Sequence, residues 1–192
     1  MEEISEIKEY AHKHSVPIMM DEGIDFICKY IVEHNVKSVL EIGAAIGYSS
    51  IRFAKLAPDI FVTTIEIDED RFNQAVDNIK DNNLENRIRI FLGDALTYPI
   101  DGKYDLIFID AAKAQYIKFF ERFKYSLNKD GVIISDNLSF HGMVQDISLT
   151  HNYSTKKLIR KIKKYIAFLE QNKEFHTDFY TCGDGISVSR WN

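Results

Sequence analysis

The sequence of 192 residues predicts an α/β fold, a doubly wound and mostly parallel seven-stranded sheet closed by an antiparallel C-terminal hairpin. Two observations carry this expectation. Short β-branched and apolar runs alternate with helix-length amphipathic stretches, the pattern of βαβ units. The runs Leu106–Ile109 and Val132–Ile134 are continuously apolar, as in strands covered on both faces. Hydrophobic residues form 45% of the chain, with only 9 glycines and 3 prolines, which excludes collagen-like and disordered classes.

Each element follows from a local signal. Ile4, Ile7 and Ala11, then Ile24, Ile27, Cys28 and Ile31, recur at helical spacing and predict two N-terminal helices. Pro17 separates them, because proline disfavours helical geometry at the preceding residue. Strands are expected at 38–42, 61–66, 87–91, 104–109 and 132–135, with helices at 49–57, 69–81 and 115–127 between most of them. A long helix at 154–172 precedes two last strands, 178–181 and 186–189, joined by the turn Gly183-Asp184-Gly185. No linker interrupts the chain, so one Rossmann-like domain is expected over 1–192, with the N-terminal helices in 1–35 and the core in 36–192.

Composition narrows the function. No apolar run approaches the roughly 20 residues of a membrane span, and the N-terminus is acidic where a signal peptide is basic, so a cytoplasmic protein without a membrane partner is expected. Cys28 and Cys182 stand far apart and form no Cys-x-x-Cys pair, which argues against a disulfide framework or zinc knuckle and for two reduced core thiols. The net charge of −5 conceals an asymmetry: from Ile147 to Leu169 there is no acid, yet Lys156, Lys157, Arg160, Lys161, Lys163 and Lys164 all fall there. Such a concentrated basic element in an acidic protein invites a polyanion.

The first strand runs into Glu41-Ile-Gly43-Ala-Ala-Ile-Gly47-Tyr-Ser49, and Glu66 stands at the end of the second. Glycines there admit a ligand close to the backbone, and a carboxylate at that point can accept both hydroxyls of a ribose. A dinucleotide fingerprint has Gly-x-Gly-x-x-Gly to bring amides onto a pyrophosphate. Here the spacing is Glu-x-Gly-x-x-x-Gly, which suits a ligand with an amino group and no phosphate.

The segment Val39–Ala54 resembles the first motif of S-adenosylmethionine-dependent methyltransferases, in the branch shared by catechol and caffeoyl-CoA O-methyltransferases. That resemblance implies S-adenosyl-L-methionine as cofactor, with Gly43 and Ser49 at its methionine end, Glu66 on the ribose, and Asp94 with Ala95 around the adenine. It also implies a covering segment at Val16 and Ile18, and it counts Asp110 among the cofactor-binding residues. Glu41 reads two ways, as a water-mediated partner of the cofactor amine or as a strand end.

Asp110, Asp136 and Asn137 each follow an apolar strand, where ligand sites of open α/β sheets gather. Two carboxylates and an amide oxygen are hard donors that suit Mg²⁺ and not zinc. The bland alternative makes Asp110 a helix cap and Asp136-Asn137 a turn. Lys113 lies at the start of the next helix, a position the helix dipole disfavours for a cation, and near a divalent metal it is a candidate general base. The resemblance assigns the same roles: Asp110, Asp136 and Asn137 hold the metal, and Lys113 takes the proton of the hydroxyl that is methylated.

The substrate then carries vicinal oxygens. The stretches Tyr10–Gly23, Glu41–Ser49, Ile109–Tyr116 and Gly183–Ser189 resemble the bacterial methyltransferases that convert 5-hydroxyuridine at the tRNA wobble position to 5-methoxyuridine. The resemblance spans nearly the whole chain and also implies a homodimer. tRNA is therefore the expected partner, with the acid-free basic helix as its RNA-binding element. A small-molecule catechol or phenylpropanoid O-methyltransferase uses the same catalytic residues and stands as the alternative, in which the basic helix is a solvated face. A dinucleotide-dependent oxidoreductase or a catalytically silent RNA-binding domain is a third reading and requires the metal constellation to be accidental.

Overall fold

The computed structural model of the protein describes residues 2–192. Its helices are α1 (Glu2–Lys13), α2 (Asp21–Glu33), α3 (Tyr48–Ala54), α4 (Glu69–Asp81), α5 (Tyr116–Phe123) and α6 (Tyr153–Glu170). Its strands are β1 (Ser38–Ile42), β2 (Phe61–Glu66), β3 (Ile88–Leu92), β4 (Tyr104–Ile109), β5 (Leu127–Ser135), β6 (Phe175–Tyr180) and β7 (Ile186–Trp191). They form one sheet in the order β3-β2-β1-β4-β5-β7-β6. β1 to β5 run parallel; β7 is antiparallel to both β5 and β6. The expected Rossmann-like architecture with its C-terminal hairpin is present.

Strand alternation builds two cores, one on each face of the sheet. Val39, Val62, Leu106, Phe108, Val132 and Ile134 point to the layer that includes α1, α2 and α3. Leu40, Ile42, Ile65, Ile107, Ile109 and Ile133 point to the layer of α5 and α6. In that second layer Tyr116, Phe120, Tyr165 and Phe175 meet mostly edge to face, contacts worth about 0.5–1.5 kcal/mol each beyond burial. Trp191 packs on Phe175 at 4.0 Å between ring centroids, half-buried against the core at the end of the last strand.

Most differences from the expected elements lie at their ends. α4 has the expected bounds because Asp68 accepts the amide of Arg71 at 2.9 Å and caps it. α5 is shorter than 115–127, since single 3₁₀ turns at Lys113–Gln115 and Lys124–Ser126 flank it. β5 starts five residues early, at Leu127, where polar Asn128-Lys-Asp carries no strand pattern. Pairing with β4 there includes a register shift between Tyr104 and Leu106, and Asp105 staples it by accepting the amides of Lys37 and Ser38 and the side chain of Asn128. Cys28 is buried as expected, but Cys182 is only half-buried and donates to the carbonyl of Glu22, so it is no core thiol. Among the described residues no helix is long and apolar enough to cross a membrane.

Candidate active site

The sheet order reverses between β1 and β4, and ligands of open α/β sheets bind beyond the carboxyl ends of the strands at that point. A cavity of about 540 Å³ lies there, within the size range of small-molecule sites. Gly43, Ser49, Glu66, Asp110, Lys113 and Asn137 line it, with Ile18 on the wall formed by 17–20. Sequence positions spread over most of the chain thus converge on one space.

Gly43 cannot be replaced without distortion. Its φ is +101°, and a Cβ there would sit 2.3 Å from the carbonyl oxygen of Asp110. The close approach brings the β1 loop against the end of β4, where the amide of Asp110 donates to Ile42 at 3.0 Å. Gly47, with φ +79°, then turns the chain into α3. Glu66 ties this loop to β2: one carboxylate oxygen accepts the amide of Ala45 at 2.7 Å, and the other accepts the amides of Ile67 and Asp68 at 2.9 Å.

Glu41, with its two sequence readings of water-mediated partner and strand end, lies one residue before the end of β1. Its side chain is fully buried and does not line the cavity. It accepts hydroxyl hydrogen bonds from Ser49, Ser50 and Thr64, the last at 2.6 Å. Burial raises its pKa against the lowering effect of those three donors. Glu41 therefore stands behind Ser49 and holds it toward the cavity. Three other expected cofactor residues also lie off the cavity lining. Val16 packs half-buried on the core, Ala95 is buried, and Asp94 is exposed and accepts the amide of Leu96 at 2.8 Å in a turn after β3.

The catalytic side is strongly electrostatic. Asp136 is 1% exposed, and its Oδ1 has no hydrogen-bond partner. Burial first, then the charge of Asp110, push its pKa up to about 7, against the opposing pull of the Asn137 amide and Lys113. Burial also raises the pKa of Asp110, and Lys113 moderates it. An orphaned buried carboxylate oxygen beside a second carboxylate fits a hard cation such as Mg²⁺. Among the described residues no three His, Cys, Asp or Glu side chains form a metal cage; the further hard donor next to Asp136 is the Asn137 amide, which lines the cavity. Asn137 adopts φ +60°, and its side-chain amide nitrogen points to Asp184 at 3.4 Å, so its oxygen is the end that could serve a cation.

The sequence reading did not single out Asp184. It is 4% exposed, lines the cavity, and accepts the amide of His141 at 2.5 Å. Its only signal was the turn Gly183-Asp184-Gly185, and the pairing of β7 with β5 carries that turn to the Asn137 loop. Phe140 and His141 line the same cavity, as do Tyr48, Arg71 and Met20.

The basic helix α6 is capped by Asn152, which accepts the amide of Thr155 at 3.0 Å. Ile159, Ile162, Tyr165 and Leu169 face inward, while Lys157, Arg160, Lys161, Lys163 and Lys164 are exposed and Lys156 is half-buried. Among the described residues none of the six makes an ion pair. The inward face of the helix packs against the turn that carries Lys113.

A doubly wound sheet with a phosphate-free glycine loop, an acid at the end of β2 and a hard-donor cluster at β4 and β5 defines a class I methyltransferase. The chain matches the O-methyltransferase family model over residues 1–191 and belongs to that family, the S-adenosylmethionine-dependent O-methyltransferases of the caffeoyl-CoA type. It is 30% identical to caffeoyl-CoA O-methyltransferase 2 of Petunia hybrida, over 98% of this chain and 83% of the relative. A Staphylococcus aureus structure provisionally named a caffeoyl-CoA O-methyltransferase is 39% identical, covers 98% of this chain and 92% of its own, and superposes with a TM-score of 0.94. The fold is also that of a Bacillus cereus O-methyltransferase solved with S-adenosylhomocysteine, at 22% identity, 100% and 91% coverage and a TM-score of 0.84.

Proposed function

We propose that this O-methyltransferase acts on tRNA, methylating the 5-hydroxyl of 5-hydroxyuridine at the wobble position to give 5-methoxyuridine. The observation that carries the reading is α6: six cations with no ion pair among the described residues and no acid before its last residue, Glu170, on a helix packed beside the turn of Lys113. Surface helices ordinarily intersperse both signs, so an unneutralised row fits a phosphate backbone.

S-adenosyl-L-methionine, when bound, supplies a methyl group already activated on a sulfonium. Gly43 gives it backbone room, Ser49 is held toward it by Glu41, and Glu66 presents its carboxylate to the ribose. Asp110, Asp136 and Asn137 would hold Mg²⁺, which would supply Lewis acidity toward a substrate hydroxyl. Lys113 takes that hydroxyl proton as the oxygen accepts the methyl group and S-adenosylhomocysteine is left, with residues 17–20 forming one wall of the cavity. The 5-hydroxyl and 4-carbonyl of 5-hydroxyuridine offer the oxygen pair this donor set needs.

One observation favours a second reading: the named relatives are caffeoyl-CoA O-methyltransferases, so a catechol-bearing small molecule fits the same catalytic end. Mass spectrometry of tRNA nucleosides from a strain lacking the gene separates the two. The tRNA reading expects 5-methoxyuridine to disappear and 5-hydroxyuridine to accumulate; an unchanged nucleoside profile refutes it.

A further inference from the structure

The cavity mouth continues outward along a surface of a different kind from the cation row. Phe140 and His141 line the mouth, their rings 5.7 Å apart. Next comes Gly142, and Leu149 Cδ1 lies 3.8 Å from where a Cβ on Gly142 would sit. Leu149 is 60% exposed and Tyr153 is 74% exposed, which are high values for large apolar side chains. The segment that carries them is tied down: Ser139 Oγ accepts the amide of Gly142 at 3.1 Å, Asp146 accepts the amide and hydroxyl of Ser148, and Thr150 accepts the amide of Asn152 at 3.2 Å. Tyr153 is the first residue of α6, and Lys157, Arg160 and Lys164 follow it at helical spacing on one stripe.

We infer that Leu149 and Tyr153 form a stacking platform for unpaired nucleotides beside the base that enters the cavity, with Lys157, Arg160 and Lys164 continuing the track along the phosphates. The inference rests on the tRNA reading and adds to it the single-stranded part of the RNA and the residues that hold its bases. An exposed aromatic ring on a tied-down segment, at the head of an acid-free cation stripe, is the combination that single-strand binding sites use, with bases on the ring and backbone on the charges. Charge complementarity selects the occupant, since nothing acidic on this stripe would repel a polyanion.

The experiment is equilibrium binding of a 17-nucleotide anticodon stem-loop bearing 5-hydroxyuridine, measured by fluorescence anisotropy at several salt concentrations. Tyr153→Ala is expected to weaken binding about tenfold with the salt slope unchanged, because a stacked base and no phosphate contact is lost. Tyr153→Phe is expected to keep the parent's affinity, which shows that the ring matters and that the helix start is intact. Lys157→Glu is expected to weaken binding and to reduce the slope by about one contact. Parent-like affinity in Tyr153→Ala alongside weakened Lys157→Glu overturns the platform and leaves the tRNA reading standing. Equal loss in Tyr153→Phe and Tyr153→Ala also overturns it. Failure of the parent to bind the stem-loop overturns both.

Discussion

Asp136 sets its buried carboxyl beside that of Asp110, and the Oδ1 of Asp136 has no hydrogen-bond partner. Two like charges in a desolvated position repel unless a cation or proton joins them. The pair is therefore costly to the fold without a metal and useful with one. Asp136→Ala should abolish methyl transfer while S-adenosylmethionine still binds, because Gly43, Ser49 and Glu66 are untouched. Treatment with EDTA should stop turnover in the parent and added Mg²⁺ should restore it. Full activity in EDTA would rule out the metal cluster.

Lys113 lines the cavity at the start of the turn before α5. Lys113→Ala should lower kcat by about 10²–10⁴, the usual span for a lost general base, with little change in the KM for S-adenosylmethionine. Steady-state kinetics with saturating Mg²⁺ check this, and an undiminished kcat would remove Lys113 from that role.

Gly43 and Asp110 touch backbone to backbone across β1 and β4. Gly43→Ala must relieve both a 2.3 Å contact and a left-handed φ of +101°, at a cost of about 3 kcal/mol. The expected result is a lower urea midpoint together with loss of cofactor binding. A variant as stable as the parent would show that the two loops are not in contact.

Asp105 gives a dependence on pH. Burial works to raise its pKa, but the amides of Lys37 and Ser38, the Ser38 hydroxyl and Asn128 outweigh it and hold the carboxyl below 3.8. A lowered folded pKa means stability that is present above the unfolded value and lost as pH falls through the folded one. Asp105→Ala should cost about 2 kcal/mol at pH 7, allowing for partial solvent screening, and less at about pH 2, where more of the carboxyl is protonated. Urea unfolding at both pH values tests it; an equal loss at both would contradict the electrostatic origin.

The parallel core was legible because its strands are apolar on both faces and its helices have the 3.6-residue period, as in β4 and α4. Ends set by pairing were not. The polar start of β5 forms a strand only because β4 lies beside it, and Phe175–Thr177 joins β6 only by pairing with β7. In the site, the residues on strand ends, Asp110, Asp136 and Asn137, could be read from motif and spacing. Asp184 could not, since only the insertion of β7 between β5 and β6 brings it to Asn137. Glu41 was ambiguous because whether it faces the cavity or Ser50 and Thr64 depends on the inward face of β1, a tertiary fact.

The most direct measurement gives the purified protein, with S-adenosylmethionine and Mg²⁺, equal access to tRNA containing wobble 5-hydroxyuridine and to caffeoyl-CoA, and reads kcat/KM for each by mass spectrometry. Methylation of the tRNA with the larger kcat/KM, falling steeply with salt and lost when Lys157, Arg160, Lys161 and Lys164 are replaced by Glu, is the expected result. Efficient methylation of caffeoyl-CoA with no 5-methoxyuridine formed in the tRNA would contradict it.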